Sequence, residues 1–176
     1  MTTIVRGPRP PELEQWLERR RRVGADRFDE VWEGRYVVAP DPHSNHGEVM
    51  GEVRALLKPV ARRSGLRAVQ TFNLGRPDDF RIPDAGLVPG PVGVWHDTAV
   101  LVVEVLSPDD MTFDKLDFYT ARGVRELLVV DWQERSVRCF ALQDGQVEQD
   151  RSHVLAMTTA EVAAAIDWPP LDDAGR

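Results

Sequence analysis

The 176-residue chain has one cysteine, Cys139. A single thiol cannot form an intrachain disulfide, and a cysteine-rich zinc site is excluded with it. Any metal therefore rests on oxygen donors, with histidine as the remaining ligand type. Long apolar runs are also missing. The opening Met-Thr-Thr-Ile-Val-Arg-Gly-Pro holds no signal-peptide core, and no later stretch approaches the length of a bilayer span. The expectation is a cytoplasmic protein without a membrane partner. Positive charge is scarce: 22 Lys and Arg stand against 29 Asp and Glu, a formal net charge of -7. Phosphate affinity comes mainly from Lys and Arg, so this balance argues against a protein that coats nucleic acid indiscriminately. It leaves room for a nuclease, whose metal site is itself made of carboxylates.

What remains is the composition of a globular domain, 42% hydrophobic and 29% charged. The length suits one core domain, read as residues 25–166 between an N-terminal helical arm, 1–24, and a C-terminal tail, 167–176. In the arm, Leu13, Trp16 and Leu17 share a helical face over 10–22, with Arg19 to Arg22 at its C-terminal end. Residues 28–38 read as two short strands about Glu33-Gly34. Val49, Val53, Leu56, Leu57 and Val60 predict a helix over 44–63, with Ser44 or Asn45 as its cap. Strands follow at 66–74 and at 80–88, the second made irregular by Pro83-Asp84, and then a loop at 89–93. Ala99 to Leu106 is an almost unbroken apolar run of the kind that forms a central strand covered on both faces, ended by Ser107-Pro108. A helix at 111–122 stopped by Gly123, a buried strand at 126–132, a hairpin around Asp144-Gly145 and a helix at 158–166 complete the pattern. Helices interleaved with strands give an α/β (α+β) class, a mixed central sheet flanked by helices.

Glu104 is the anomaly in this pattern, the only polar residue in a strand that otherwise demands burial. A buried carboxylate must be neutralised, paired or bound to a cation. The pairing alternative is an arginine such as Arg81 or Arg125; a strand turning its one polar position to solvent is another. Asp84, in the preceding strand, brings a second carboxylate to the same sheet edge if the two strands are neighbours; otherwise it is a turn residue after proline. Two carboxylates with a backbone carbonyl and water make a hard-cation site suited to Mg²⁺ or Mn²⁺. Lys115 and Tyr119 lie one turn apart in the next helix. A lysine beside such a site stabilises charge on phosphoryl oxygens, although most helical lysines face solvent.

Arg-Ile-Pro-Asp, then Val-Val-Glu-Val-Leu-Ser-Pro, then Asp-Lys-x-x-x-Tyr and Gly-Val-Arg-Glu-Leu-Leu-Val-Val-Asp, over about residues 28–155, resemble the Uma2 endonuclease family of the PD-(D/E)XK superfamily. The resemblance implies a restriction-endonuclease-like fold and a metal held by Asp84, Glu104 and the Val105 backbone, with Lys115 as the catalytic lysine. The chain departs from the superfamily's simplest pattern in carrying Leu106 two residues after Glu104, which places the lysine on the following helix. His46 matches a histidine near the start of the family's long helix and lies on its apolar side, where it faces the site or is a buried histidine satisfied by a backbone carbonyl. Glu48 is a further acid near it, with solvation as the alternative. Asp131 has a counterpart at its strand end, where it fixes the loop, and Tyr119 reaches a substrate phosphate or packs on the sheet.

The function expected is a metal-dependent endonuclease hydrolysing phosphodiester bonds, with DNA as substrate and partner. A catalytically silent nucleic-acid-binding or protein-interaction module on the same fold is the alternative, and hydrolysis of another phosphodiester a third reading. By resemblance the enzyme pairs as a homodimer. Arg54, Lys58, Arg62 and Arg63 form a cation cluster whose local effect outweighs the total charge.

Overall fold

The computed structural model describes residues 3–5, 10–39, 42–91, 93–107, 111–143 and 145–171. The expectations placed on Val92, Pro108, Asp144 and the tail from residue 172 lie outside these residues.

The N-terminal segment forms a strand as well as a helix, β1 (Thr3–Val5) and α1 (Pro11–Val23). Proline at the first helical position of α1 gives up an N–H that has no helical partner anyway. Glu12 and Glu14 in the first turn and Arg20 to Arg22 in the last complement the helix dipole, and Gly24, at φ 70°, closes the end in the left-handed conformation. The helix is docked rather than free: Leu17 is fully buried, and Arg20 grips Asp29 through Nε to Oδ2 (3.1 Å) and Nη2 to Oδ1 (2.9 Å). β2 (Glu30–Trp32) and β3 (Arg35–Val38) pair antiparallel about Glu33-Gly34. Both turn residues have positive φ, which suits the twist of a two-residue hairpin.

α2 (Ser44–Ser64) covers the expected helix, but its cap is His43 rather than Ser44 or Asn45. His43 has extended backbone angles and stacks on Trp132, which leaves its Nδ1 to accept the Asn45 N–H at 3.2 Å.

Each of the next two expected strands is broken in two. Residues 66–74 give β4 (Arg67–Gln70) and β5 (Asn73–Arg76), separated by Thr71 at φ 45°. Residues 80–88 give β6 (Asp79–Arg81) and β7 (Ala85–Val88), separated by Ile82-Pro83-Asp84. The breaks are clamped together, Thr71 N donating to the Asp84 carbonyl at 3.0 Å. Beyond the breaks the halves enter different sheets. A short strand absent from the sequence reading, β8 (Trp95–His96), runs parallel to β5. Then come β9 (Leu101–Val105), a 3-10 turn (Thr112–Lys115), α3 (Leu116–Ala121), β10 (Glu126–Asp131), β11 (Ser136–Ala141), β12 (Val147–Gln149), β13 (Arg151–Ser152), β14 (Met157–Thr158) and α4 (Thr159–Ala164). Thr158 and Glu161 form a reciprocal capping box on α4.

The result is an α+β fold of mixed sheets flanked by helices. One sheet has the order β1-β3-β2-β6-β5-β8 and the other β12-β11-β10-β9-β7-β4, with β13-β14 as a separate ribbon. β9 is central in the second sheet, parallel to β10 and antiparallel to β7. Its side chains alternate between two cores. Leu101, Val103 and Val105 meet Val49, Val53 and Leu57 of α2, while Val102 lies with Phe118 and Tyr119 of α3.

Gly86 sets the spacing of β7 on β9, since a Cβ there would lie 2.7 Å from the Leu101 carbonyl oxygen and 3.0 Å from the Phe72 ring. Gly86→Ala is expected to destabilise the fold by about 1–3 kcal/mol through overpacking, read as a lower urea midpoint. An unchanged midpoint would show that β7 and β9 have slack.

Candidate functional site

The register of β7 on β9 pairs Ala85 with Val103. In an antiparallel ladder the next pair outward is Asp84 and Glu104, so the strand break brings the two residues to the same end of the second sheet, where Asp84 adds to the electrostatic load on the Glu104 carboxyl. Asp84 Oδ2 accepts the Val105 N–H at 2.7 Å, and His46 Nε2, from the first turn of α2, lies 3.1 Å from the same oxygen. On the opposite face of the sheet, Glu104 Oε1 accepts from Lys115 Nζ at 3.0 Å and from the Tyr119 hydroxyl. Lys115 and Tyr119, four residues apart, reach one oxygen from a single helical face. Neither Arg81 nor Arg125 pairs with Glu104. Arg81 pairs with Asp79 and lies over the Trp32 and Phe118 rings, and Arg125 is exposed.

One member of the cluster was missed by sequence reasoning. Glu30 of β2 is buried, and its Oε1 accepts from Lys115 Nζ at 3.1 Å and from Ile82 N at 2.7 Å, while Oε2 accepts from the Trp32 indole. Its trace in the sequence is faint, an alternating strand with Glu30 and Trp32 in one row, next to Asp29 and easily read as a turn. Lys115 thus bridges one carboxylate from each sheet.

Of the remaining expected residues, Tyr119 belongs to this group, while Glu48 and Asp131 do not. Tyr119 is fully buried, and its hydroxyl bonds Glu104 rather than facing solvent. Glu48 is exposed on α2, and no hydrogen bond or ion pair among the described residues joins it to the cluster. Asp131 Oδ1 accepts from Gln133 N and Glu134 N, both at 3.0 Å, and so fixes the turn after β10.

Electrostatically the group is short of positive charge. Burial pushes the Glu104 carboxyl well above the usual carboxylate range; Lys115 and the Tyr119 hydrogen bond oppose this, and Asp84 and Glu30 add to it. Burial works against a charged His46 ring, yet Asp84, Glu104 and the Val105 backbone together outweigh it and raise His46. Those three groups are the expected metal donors, and all of them act on the one imidazole. Among the described residues no three His, Cys, Asp or Glu side chains gather to hold an ion. A hard cation completes its shell with carbonyl oxygen and water, so two carboxylates and a backbone carbonyl fit Mg²⁺ or Mn²⁺. Access favours the Asp84 side, whose side chain is 20% exposed against 4% for Glu104 and 13% for Lys115.

The model of the Uma2 family, described as "Putative restriction endonuclease", matches residues 10–165. The chain belongs to the Uma2 family. A crystal structure of "a putative nuclease belonging to DUF820" from Anabaena variabilis ATCC 29413 is similar at TM-score 0.65 and 16% identity, over 78% of this Uma2 chain and 90% of that one. At that identity the likeness shows the fold. A chain of the DrdV-DNA complex, solved by electron cryomicroscopy, is matched at TM-score 0.37 and 19% identity over 65% of this chain and 10% of its own. No curated protein matches the chain. The Uma2 chain departs from the simplest superfamily pattern at Leu106. That side chain follows Glu104 on the same strand face and packs into the core beneath α3, while the lysine comes from the element covering that face.

Lys115→Met leaves Glu104 and Glu30 buried without their ammonium, at an expected cost of about 3–5 kcal/mol. A carboxyl whose folded pKa lies above its unfolded value binds its proton more tightly when folded. Its contribution to stability therefore falls as pH rises from the ordinary carboxylate range through the raised value. Removing Lys115 raises Glu104 further, so urea unfolding is expected to show a larger loss at about pH 8 than at about pH 5. Equal losses at both would mean that the ammonium does not hold the two acids.

Proposed function

We propose that this Uma2 protein is a Mg²⁺- or Mn²⁺-dependent endonuclease that hydrolyses phosphodiester bonds in DNA. Asp84, Glu104 and the Val105 carbonyl hold the ion, and Lys115 is the catalytic lysine. The observation that carries the reading is the convergence of Asp84 and Glu104 at one strand end, with Lys115 3.0 Å from Glu104. Membership of a family described as restriction endonucleases supports the reaction class.

The ion supplies Lewis acidity toward a phosphoryl oxygen. The chain's own residues set the stage for it. His46 and the Val105 N–H fix the orientation of Asp84, leaving Oδ1 for the ion. Tyr119, which burial and Glu104 keep protonated, orients Glu104. Lys115 provides positive charge where negative charge grows on the phosphoryl group, the term that usually dominates such catalysis. Glu30 keeps that ammonium in place while Glu104 turns to the ion. Pairing as a homodimer to cut both strands belongs to the same proposal and rests on the resemblance, and action in the cytoplasm is proposed with it. No helix among the described residues is long and apolar enough to cross a membrane.

A second reading is a catalytically silent module. It is favoured by one observation, that the Lys115 ammonium pairs with both Glu30 and Glu104 and so neutralises part of the acidic group. Supercoiled plasmid with Mg²⁺ or Mn²⁺ separates the two, with RNA and cyclic dinucleotides assayed alongside. Nicking is expected, lowered about 100-fold or more in Asp84→Ala and Lys115→Ala. No cleavage of any of these substrates by the wild-type protein supports the silent module; undiminished cleavage by Asp84→Ala sinks the site.

Ion binding has its own readout. Mn²⁺ at about 100 times its dissociation constant is expected to stabilise the wild-type fold by about 2.7 kcal/mol, and Asp84→Ala is expected to lose that shift in a thermal melt. A shift of the same size in the variant would place the ion elsewhere.

A further inference from the structure

We propose that the exposed face of α2 is a phosphate track, along which the backbone of a DNA duplex lies as it leaves the site. The choice of DNA as occupant rests on the nuclease reading above; the surface rests on charge and shape.

The charge is segregated. The whole chain carries -7, yet between Glu52 and Asp78 it has six cations, Arg54, Lys58, Arg62, Arg63, Arg67 and Arg76, and no acid. Three of them, Arg54, Lys58 and Arg62, recur every fourth residue of α2 and so form a row, rising about 6 Å per step. Lys58, Arg62 and Arg63 are exposed, and Arg54 is half-buried with an Nε that has no hydrogen-bond partner. None of these four forms an ion pair among the described residues. Several arginines elsewhere have acids beside them: Arg20 has Asp29, Arg122 has Asp79 and Arg138 has Glu148. A solvated helix face in an acidic protein has no need of a row of one sign. A duplex, with one negative charge per about 1.7 Å of axis, matches it.

The shape points the same way. Gly47, Gly51 and Ala55 are exposed on α2 between its first turn and Lys58, and a Cβ built on either glycine would meet nothing within 4 Å. Of the exposed residues on that stretch only Glu48 carries a long side chain. The track is also anchored at the site, because His46, which touches Asp84, lies on the same helix about 12 Å along the axis from Arg54.

The test is binding of the full chain to a fluorescein-labelled DNA duplex in EDTA, followed by anisotropy across about 50–200 mM salt. In Lys58→Gln/Arg62→Gln the slope of log affinity against log salt is expected to fall by about two. The loss of affinity across that salt range then becomes about tenfold smaller than in the wild type. Arg19→Gln/Arg22→Gln, on exposed positions of α1, is the control and is expected to leave the slope unchanged. Four outcomes overturn the track: the same slope and affinity in wild type and α2 variant, equal losses in the two variants, no duplex binding by the wild type, or tighter binding of vesicles containing anionic lipid than of the duplex. Because the assay needs no cleavage, a reduced slope with uncut plasmid fails the nuclease reading and keeps the track. Cut plasmid with an unchanged slope does the reverse.

Discussion

A half-buried ammonium between two buried carboxylates holds this molecule's parts in register. Lys115 stands between Glu30 of the first sheet and Glu104 of the second, and it arrives on a third element, the 3-10 turn before α3. Taking any of these charges out of water is costly, and mispairing leaves a carboxylate stranded in apolar surroundings. The two sheets and the helix therefore have a narrow set of mutual placements in which the charges are satisfied. Apolar contacts such as those of Phe118 and Tyr119 against β9 and β10 favour docking over a broad range of positions, and the bridge selects one.

The same arrangement explains the location of the chemistry. Strand-to-strand pairing alone would have carried the chain straight from β6 into β7 and buried position 84 in a ladder. The break at Ile82-Pro83-Asp84, held to the break at Thr71, frees a carboxylate at a strand end while leaving its backbone clamped. The acid is thus both exposed enough to meet a ligand and fixed by the Val105 N–H. The α2 and α3 helices lie on opposite faces of one sheet, yet each side contributes a nitrogen-bearing side chain at this end, His46 from one and Lys115 from the turn leading into the other.

What the sequence revealed was what local pattern encodes. Helical spacing marked α1 and α2, apolar runs marked β9 and β10, and Glu104 stood out because it interrupted such a run. The pairing of Lys115 with Tyr119 is an i to i+4 relation and was legible for the same reason. Glu30 was not, because its partners are Lys115, 85 positions away, and Ile82 N, 52 positions away. The first sheet was hidden likewise, built from short strands whose pairings are non-local. Thr71 was read as strand because nothing in a β-branched residue announces a left-handed backbone. His43 displaced Ser44 and Asn45 as the helix cap because stacking on Trp132 positions its ring, a contact no local rule contains.

Asp29 and Glu30 are neighbours in sequence and face opposite ways. Asp29, together with Val31, borders a cavity of about 460 Å³ and holds α1 through Arg20, the Tyr36 hydroxyl and the Ala39 N–H. Glu30 holds Lys115. One peptide bond thus couples the N-terminal helix to the acid that steadies the lysine, and a ligand that wedged into the cavity and shifted Asp29 would be turning a lever with its short arm in the site.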